Sequence, residues 1–300
     1  LDWMFGLIVA YAALGLFMFL QMGDTFFGIP KQYYLGSLTG TFINRNSNAT
    51  FLAFGMVAGA ALLSEAVSGR SVRLSLRPIA IFAGLGLVGV ALLLTNSRMG
   101  IFAGLIASLL VLVVGAFRGR YAWWKWAVLL VGAVLVALWA APIFGAGVLD
   151  RLLGVDDSWS MRLELYRQVL TMIVSNPWVG FGAGSFEWTF PLFHEPTLDI
   201  DVVWDRAHST YLTLWVELGL IGGTLPILIV VAMAMMAGGR FLMASQRWSI
   251  PLAALGVALV AAIHSLVDFS LEMPANMLYL LAFLAVGVAS GRQQEGQRPK

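Results

Sequence analysis

Long apolar runs, each closed by charge or by glycine and proline, recur along the chain. A hydrocarbon core about 30 Å thick takes about 20 residues of helix to cross. On that measure the pattern predicts eight spans: Trp3 to Leu20, Thr50 to Val67, Pro78 to Thr95, Gly100 to Phe117, Trp126 to Phe144, Thr210 to Ala237, Ile250 to Val267 and Pro274 to Ser290. Sheets are excluded from the spans, because an open edge facing lipid leaves backbone groups unpaired. One connection, Gly145 to Ser209, is long, and at about 65 residues it is of the kind that carries function. Within it Ser160 is expected to cap a helix from Met161 to Ser175, which Asn176-Pro177 stops. Leu165, Val169, Met172 and Ile173 line one side of that helix, and Arg162 and Tyr166 share another. An amphipathic helix of this kind lies on the membrane or against the bundle mouth.

Composition agrees with the pattern. Hydrophobic residues make up 60% of the 300 and charged ones 11%, with mean hydropathy +0.85, where a soluble domain carries about 25% charged residues. The expected fold is all-α, a polytopic transmembrane bundle forming one domain over residues 1–300, with the loop 145–209 on one side. Absence of cysteine excludes disulfides, thiolate nucleophiles and iron–sulfur clusters. The net charge of +2 comes from dispersed residues, which speaks against a nucleic-acid partner. The chain opens on Leu1 directly before an apolar run and reads as the C-terminal part of a longer protein.

Basic residues set the sidedness. Arg70, Arg73, Arg77, Arg118, Arg120, Lys125, Arg240, Arg247, Arg292, Arg298 and Lys300, eleven of the eighteen, fall in alternate connections with Glu65 and Glu295. By the positive-inside rule those connections are cytoplasmic. The other set, with Lys31, Arg45, Arg98, Arg151, Arg162, Arg167, Arg206 and most acids, faces a periplasm or the outside. Trp123, Trp124, Trp126 and Trp139 fit an interfacial belt.

Chemistry-bearing residues gather on that outer side. Arg98 occupies a tight turn between two spans, where a charge at the membrane edge is a functional hypothesis by default and guanidinium suits phosphate; a snorkelling anchor is the plainer alternative. Arg162 and Arg167 each read alone as structural, Arg167 pairing with Glu164. His208, at the junction of loop and membrane, is either a general base at neutral pH or a hydrated interfacial residue. Glu217 falls about nine residues, roughly 13 Å, into the sixth span, the deepest acid of the chain, placed to orient His208 or an arginine. His264 and Asp268 form a small polar cluster suited to a supporting role. Gly180, Gly182 and Gly184 do not have dinucleotide-binding spacing and read as a turn that lets backbone approach closely. No metal ligand spacing joins His194, His208 and His264.

Several segments together resemble the O-antigen ligase and O-antigen polymerase superfamily of bacterial membrane glycosyltransferases. They are Gly40-Thr41-Phe42-Ile43-Asn44-Arg45-Asn46, Ser97-Arg98, Arg162 with Asn176-Pro177, His208-Ser209-Thr210-Tyr211, Glu217-Leu218-Gly219-Leu220-Ile221-Gly222 and His264-Ser265-Leu266-Val267-Asp268-Phe269. The resemblance implies a metal-independent, inverting transfer, with no cofactor, from an undecaprenyl-pyrophosphate-linked glycan donor at the periplasmic face of the inner membrane. The acceptor would be lipid A core, a growing glycan or a protein. It assigns pyrophosphate binding to Arg98 and Arg162 and acceptor activation to His208, supported by Glu217. Asn44, Arg45, Asn46, Tyr211, His264 and Asp268 would line the same cavity. Ligase, polymerase and protein O-oligosaccharyltransferase share these motifs. Outside the enzymes a solute or bicarbonate transporter remains, which should show broken helices and paired ionisable groups near the midplane.

Overall fold

An apolar run in a bilayer satisfies its backbone groups within one segment and so folds as a helix. The computed structural model describes residues 1–68, 76–118, 157–199 and 203–290; the expected span Trp126 to Phe144 and the connection around Arg120 and Lys125 lie outside the described residues. Helix α1 is Asp2–Met22, α2 Arg45–Val67, α3 Leu76–Leu94 and α4 Arg98–Arg118. In the outer loop follow α5 (Asp157–Ser175), the single turn α6 (Phe186–Thr189) and a 3-10 turn, Phe190–Leu192. Helix α7 is Thr210–Met243, α8 Ser249–His264 and α9 Pro274–Ala289, the last two joined through a 3-10 turn at Ser270–Glu272. Helices α1 to α4 and α7 are long and apolar enough to cross a membrane, and α8 and α9 are shorter apolar helices. The described residues are therefore an all-α polytopic bundle. Between α1 and α2 sits a small antiparallel hairpin, β1 (Thr25–Phe26) against β2 (Ile29–Pro30).

Helix α2 is the centre of the bundle and packs on α1, α3, α4 and α8. It begins five residues ahead of the expected Thr50, capped by Asn44, whose side chain accepts from the Asn46 amide at 2.7 Å. Its first turn is polar yet buried, with Ser47, Asn48 and Thr50 inaccessible; Asn48 Nδ2 donates to the Leu38 carbonyl at 2.9 Å. This turn faces protein, so the hydropathy that marks a lipid-facing run is not required of it. Close packing comes from small residues. A Cβ on Gly256 of α8 would lie 2.5 Å from Val57 and 2.7 Å from Val111, so α2, α4 and α8 meet at a point with room only for hydrogen.

The two ends of the bundle differ as the arginine pattern requires. At one end Arg77 pairs with Asp2 at 2.8 Å, Ser249 donates to Glu65 at 2.6 Å, and Arg118 bonds the Ala244 carbonyl with its guanidinium over Phe241. Asp2 thus joins the acids of that end. Arg45, Arg98 and His208 lie at the other.

Helix α7 has 34 residues, about 51 Å at 1.5 Å per residue, too long for one crossing. It is broken at Gly219 (φ 70°, ψ 174°). Trp215 Nε1 donates to Thr224 Oγ1 at 3.1 Å, although nine residues of straight helix span about 13 Å; the first segment therefore bends back on the second. Main chain of the glycine-rich turn fills the break: Phe181 N donates to Val216 O (2.9 Å), Gly182 N to Glu217 O (2.8 Å) and Leu220 N to Pro177 O (2.7 Å). A Cβ on Gly219 would lie 2.3 Å from the Trp178 carbonyl oxygen. The uninterrupted stretch is residues 220–243, about 36 Å long, and Glu217 stands at its mouth. This corrects the depth expected from an unbroken span.

Helix α5 also starts earlier than expected, at Asp157, so Ser160 lies inside its first turn and is not its cap. Leu165, Val169 and Met172 are buried with Phe186, Phe190, Leu198, Ala207 and Val216 in a second core beneath the loop. The loop is tied down by Arg167, which bonds Glu164 (2.7 Å) and Glu195, while Gln168 and Thr197 also bond Glu164. These donors hold the Glu164 carboxyl at about 2, well below the usual carboxylate range.

Two substitutions test this architecture. Gly256→Leu overfills the α2–α4–α8 contact and is expected to cost about 1–3 kcal/mol. Gly219→Ala puts a side chain in a backbone region used almost only by glycine, at a cost of about 1–3 kcal/mol. Both should lower the thermal midpoint in detergent, whereas Gly86→Ala, where a Cβ meets nothing within 4 Å, should leave it unchanged.

Candidate functional site

Four segments distant in sequence converge at the end of the bundle opposite Arg77 and Arg118. Asp268, in the turn after α8, is buried, and its Oδ1 accepts from Asn46 Nδ2 at 2.8 Å across 222 positions of chain. Ser270 donates to its other oxygen. The Asp268 carbonyl takes the Thr210 amide and hydroxyl, both at 3.2 Å. Asn46 Oδ1 in turn accepts from Ser97 Oγ at 2.8 Å. The Asp268 carboxylate and carbonyl, with the Asn46 amide side chain, thereby join the starts of α2, α4 and α7 and the end of α8.

Arg98, the first residue of α4, follows Ser97 directly and is half-buried beside this link. Arg45, first in α2, holds its guanidinium 5.5 Å from the Tyr34 ring centroid. Arg162, half-buried on α5, extends its field to Tyr34, Tyr166, His208 and His264. Asp268 acts on the same four groups with the opposite sign. Tyr34, Tyr166, His208 and His264 therefore share one electrostatic environment, and at Tyr34 Arg45 acts as well.

His208 precedes α7 in a left-handed conformation, φ 52°, a region in which histidine is among the tolerated residues. Tyr166 Oη donates to its carbonyl at 2.9 Å, fixing the loop to α5; burial pushes the Tyr166 phenol up to about 12, so it remains a donor. The imidazole lies 5.4 Å from the Phe269 ring and 6.3 Å from Trp204. Its Nδ1 is buried and bonds no side chain or backbone group among the described residues. Burial holds its pKa below the ordinary value, Arg162 lowers it further, and Asp268 and Asp205 oppose both. Neutral imidazole, the form able to take a proton, is favoured.

His264 is a different case. Thr50 Oγ1 lies 2.5 Å from His264 Nδ1, the two sharing a hydrogen bond, and 3.2 Å from Asn46 O. The ring is buried and serves to tie α8 to α2. Tyr211 Oη donates to the Ala262 carbonyl at 3.1 Å, and Asn44 caps α2; each has a structural task.

Glu217 stands apart from this group. Its Oε1 accepts from the Phe186 amide at 3.4 Å, and its charge acts on Glu272. Glu272 pairs with Arg206 at 2.6 Å, and Arg206 lies 5.8 Å from the ring centroid of Phe269, the residue packed on His208. Glu217 is thus related to His208 only through intervening groups. Tyr34, Tyr166 and Thr50 are additions that no local sequence pattern marks, Tyr166 and Thr50 bonding partners 42 and 214 positions away, and Ser97 is marked only through its neighbour Arg98. Among the described residues no three His, Asp or Glu side chains are grouped so as to hold a metal ion.

Residues 82–227 match the family model of O-antigen ligase. No curated protein matches the chain. The matched stretch begins within α3 and runs through α4 and α5 to the first turns beyond the Gly219 break, so it holds Arg98, Arg162, His208 and Glu217. Asn46, His264 and Asp268 contribute from outside it. Over that stretch, just under half of its length, the chain is similar to the O-antigen ligase family.

Proposed function

We propose that this protein transfers a glycan from an undecaprenyl-pyrophosphate carrier to an acceptor hydroxyl at the periplasmic face, with inversion and without a metal. The observation that carries this reading is the setting of His208: a buried ring whose Nδ1 bonds no group among the described residues, acted on in opposite directions by Arg162 and Asp268. In the proposed step His208 takes the acceptor proton as the acceptor oxygen attacks the anomeric carbon. The bond from that carbon to the pyrophosphate oxygen breaks on the opposite face, and the carrier pyrophosphate leaves with the electron pair. Arg162 and Arg98 hold the leaving group, since guanidinium forks match phosphate oxygens and stabilise charge as it develops. Lipid A core is the acceptor favoured by the ligase match; a growing glycan or a protein hydroxyl would use the same groups.

A transporter has one observation in its favour, the broken helix α7. Transporter breaks lie near the midplane and leave carbonyls free for ions. Here the break lies at the outer end of residues 220–243, and two of its carbonyls, Val216 O and Glu217 O, are already taken by the main chain of Phe181 and Gly182.

Protein reconstituted with undecaprenyl-pyrophosphate oligosaccharide and lipid A core, with chelator present, is expected to yield glycan-bearing lipid A by mass. Longer glycan on the carrier would instead identify a polymerase, and solute uptake without transfer would remove the enzyme reading. His208→Ala should lower the rate about 10²–10⁴-fold, and Arg162→Gln about 10²–10³-fold.

The pH profile gives an independent test. The active form of His208 is unprotonated, so the rate falls as pH drops through its pKa, and the acid limb should lie below the ordinary histidine value of about 6.5. Asp205→Asn removes an influence that raises this pKa and should move the limb to lower pH. Residual activity of Arg162→Gln should show it moved higher.

A further inference from the structure

The apolar stripe that the sequence marks on α5 is turned inward, against Phe186, Phe190 and Val216. A second apolar set is left outside. Val174 is 77% exposed, Trp178 66% and Val179 73%, with Leu170 exposed one turn before them. From Gln168 to Phe186 the chain carries no charged residue, whereas the preceding part of α5 holds Arg162, Glu164 and Arg167.

The height of this set relative to the membrane is fixed by the break in α7. Leu220 N donates to Pro177 O at 2.7 Å, and Phe181 N and Gly182 N donate to Val216 O and Glu217 O. Residue 220 begins the stretch that crosses to residue 243. Ile221 (64% exposed), Leu225 and Ile229 on that stretch point away from protein and hence into lipid. Trp178 and Val179 are therefore held level with the point where a lipid-facing helix leaves the hydrocarbon. Tryptophan is favoured in that layer, and an interfacial helix immerses its apolar face about 5–10 Å.

We infer that the C-terminal end of α5 and the turn after it are seated in the outer interface of the bilayer, with Val174, Trp178 and Val179 among the acyl-chain ends. The occupant of this surface is the lipid that already surrounds α7, because the patch continues the lipid-facing side of that helix. The seat would fix the loop at its uncharged end while leaving the charged end, where Arg162 lies about 18 Å along the helix, at the level of lipid headgroups. The inference does not depend on which reaction the site performs.

The chain has no cysteine, so single labels can be placed without other changes. Val174→Cys and Val179→Cys, on separate elements, would each carry a nitroxide in proteoliposomes of phosphatidylethanolamine and phosphatidylglycerol. Collision with oxygen, enriched in lipid, is compared with collision with a water-soluble nickel chelate. Ile229→Cys supplies the lipid reference and Glu187→Cys, at an exposed carboxylate, the aqueous one. The expected result is an oxygen-to-nickel accessibility ratio at both positions several-fold above that at 187 and approaching that at 229. A ratio equal to that at 187 would place the patch in water and overturn the inference. Low collision with both reagents would mean that a second copy or another protein covers it, and would overturn the inference equally. Monodisperse elution of each labelled protein checks that the fold is retained.

Discussion

Backbone carbonyls freed inside a membrane helix have no water to turn to, and those of Val216 and Glu217 are met by the amides of Phe181 and Gly182. Much else follows from that exchange. The break divides a helix too long for the bilayer into a crossing stretch and a short outer segment. That segment carries Thr210 to the Asp268 carbonyl and leaves His208 at its head. The same exchange draws the turn after α5 against α7, so the large loop is fastened at its glycine-rich end as well as at Tyr166. Only glycine allows it: at Gly219 a Cβ would meet the Trp178 carbonyl oxygen at 2.3 Å, and at Gly180 it would meet the Glu217 carbonyl oxygen at 2.5 Å.

A buried carboxylate at a membrane edge is expensive unless each oxygen has a donor. Asp268 meets that condition through Asn46 and Ser270. Having met it, the charge is free to act at longer range, on His208 and the tyrosines around it. Arg162 opposes it from the loop side. On His208, burial and Arg162 lower the affinity for a proton while Asp268 and Asp205 raise it.

Hydropathy made the crossing helices legible because lipid imposes it residue by residue. It failed where protein, and not lipid, is the surrounding. The first turn of helix α2 holds Asn46, Ser47 and Asn48, which bond other segments. The break at Gly219 is invisible to hydropathy, since Leu218 and Leu220 on either side are apolar, and Glu217 therefore looked deeper than it is. The pairing of Arg162 with His208 was suggested by the order of motifs along the chain. Tyr166 and Thr50 were not legible as site residues, because their roles are bonds to His208 O and His264 Nδ1 that exist only once α5, α2 and α8 have packed.

The two site histidines show how the fold divides labour between identical side chains. His264 has its Nδ1 committed to Thr50, a bond that ties α8 to α2. His208 has its backbone held by Tyr166 and its ring wedged by Phe269 and Trp204, with contacts that fix position but not protonation. Apolar walls around an imidazole lower its affinity for a proton while leaving its orientation intact, as a base for an acceptor hydroxyl requires. A polar partner in the same place would have held the ring as well and tied up the nitrogen.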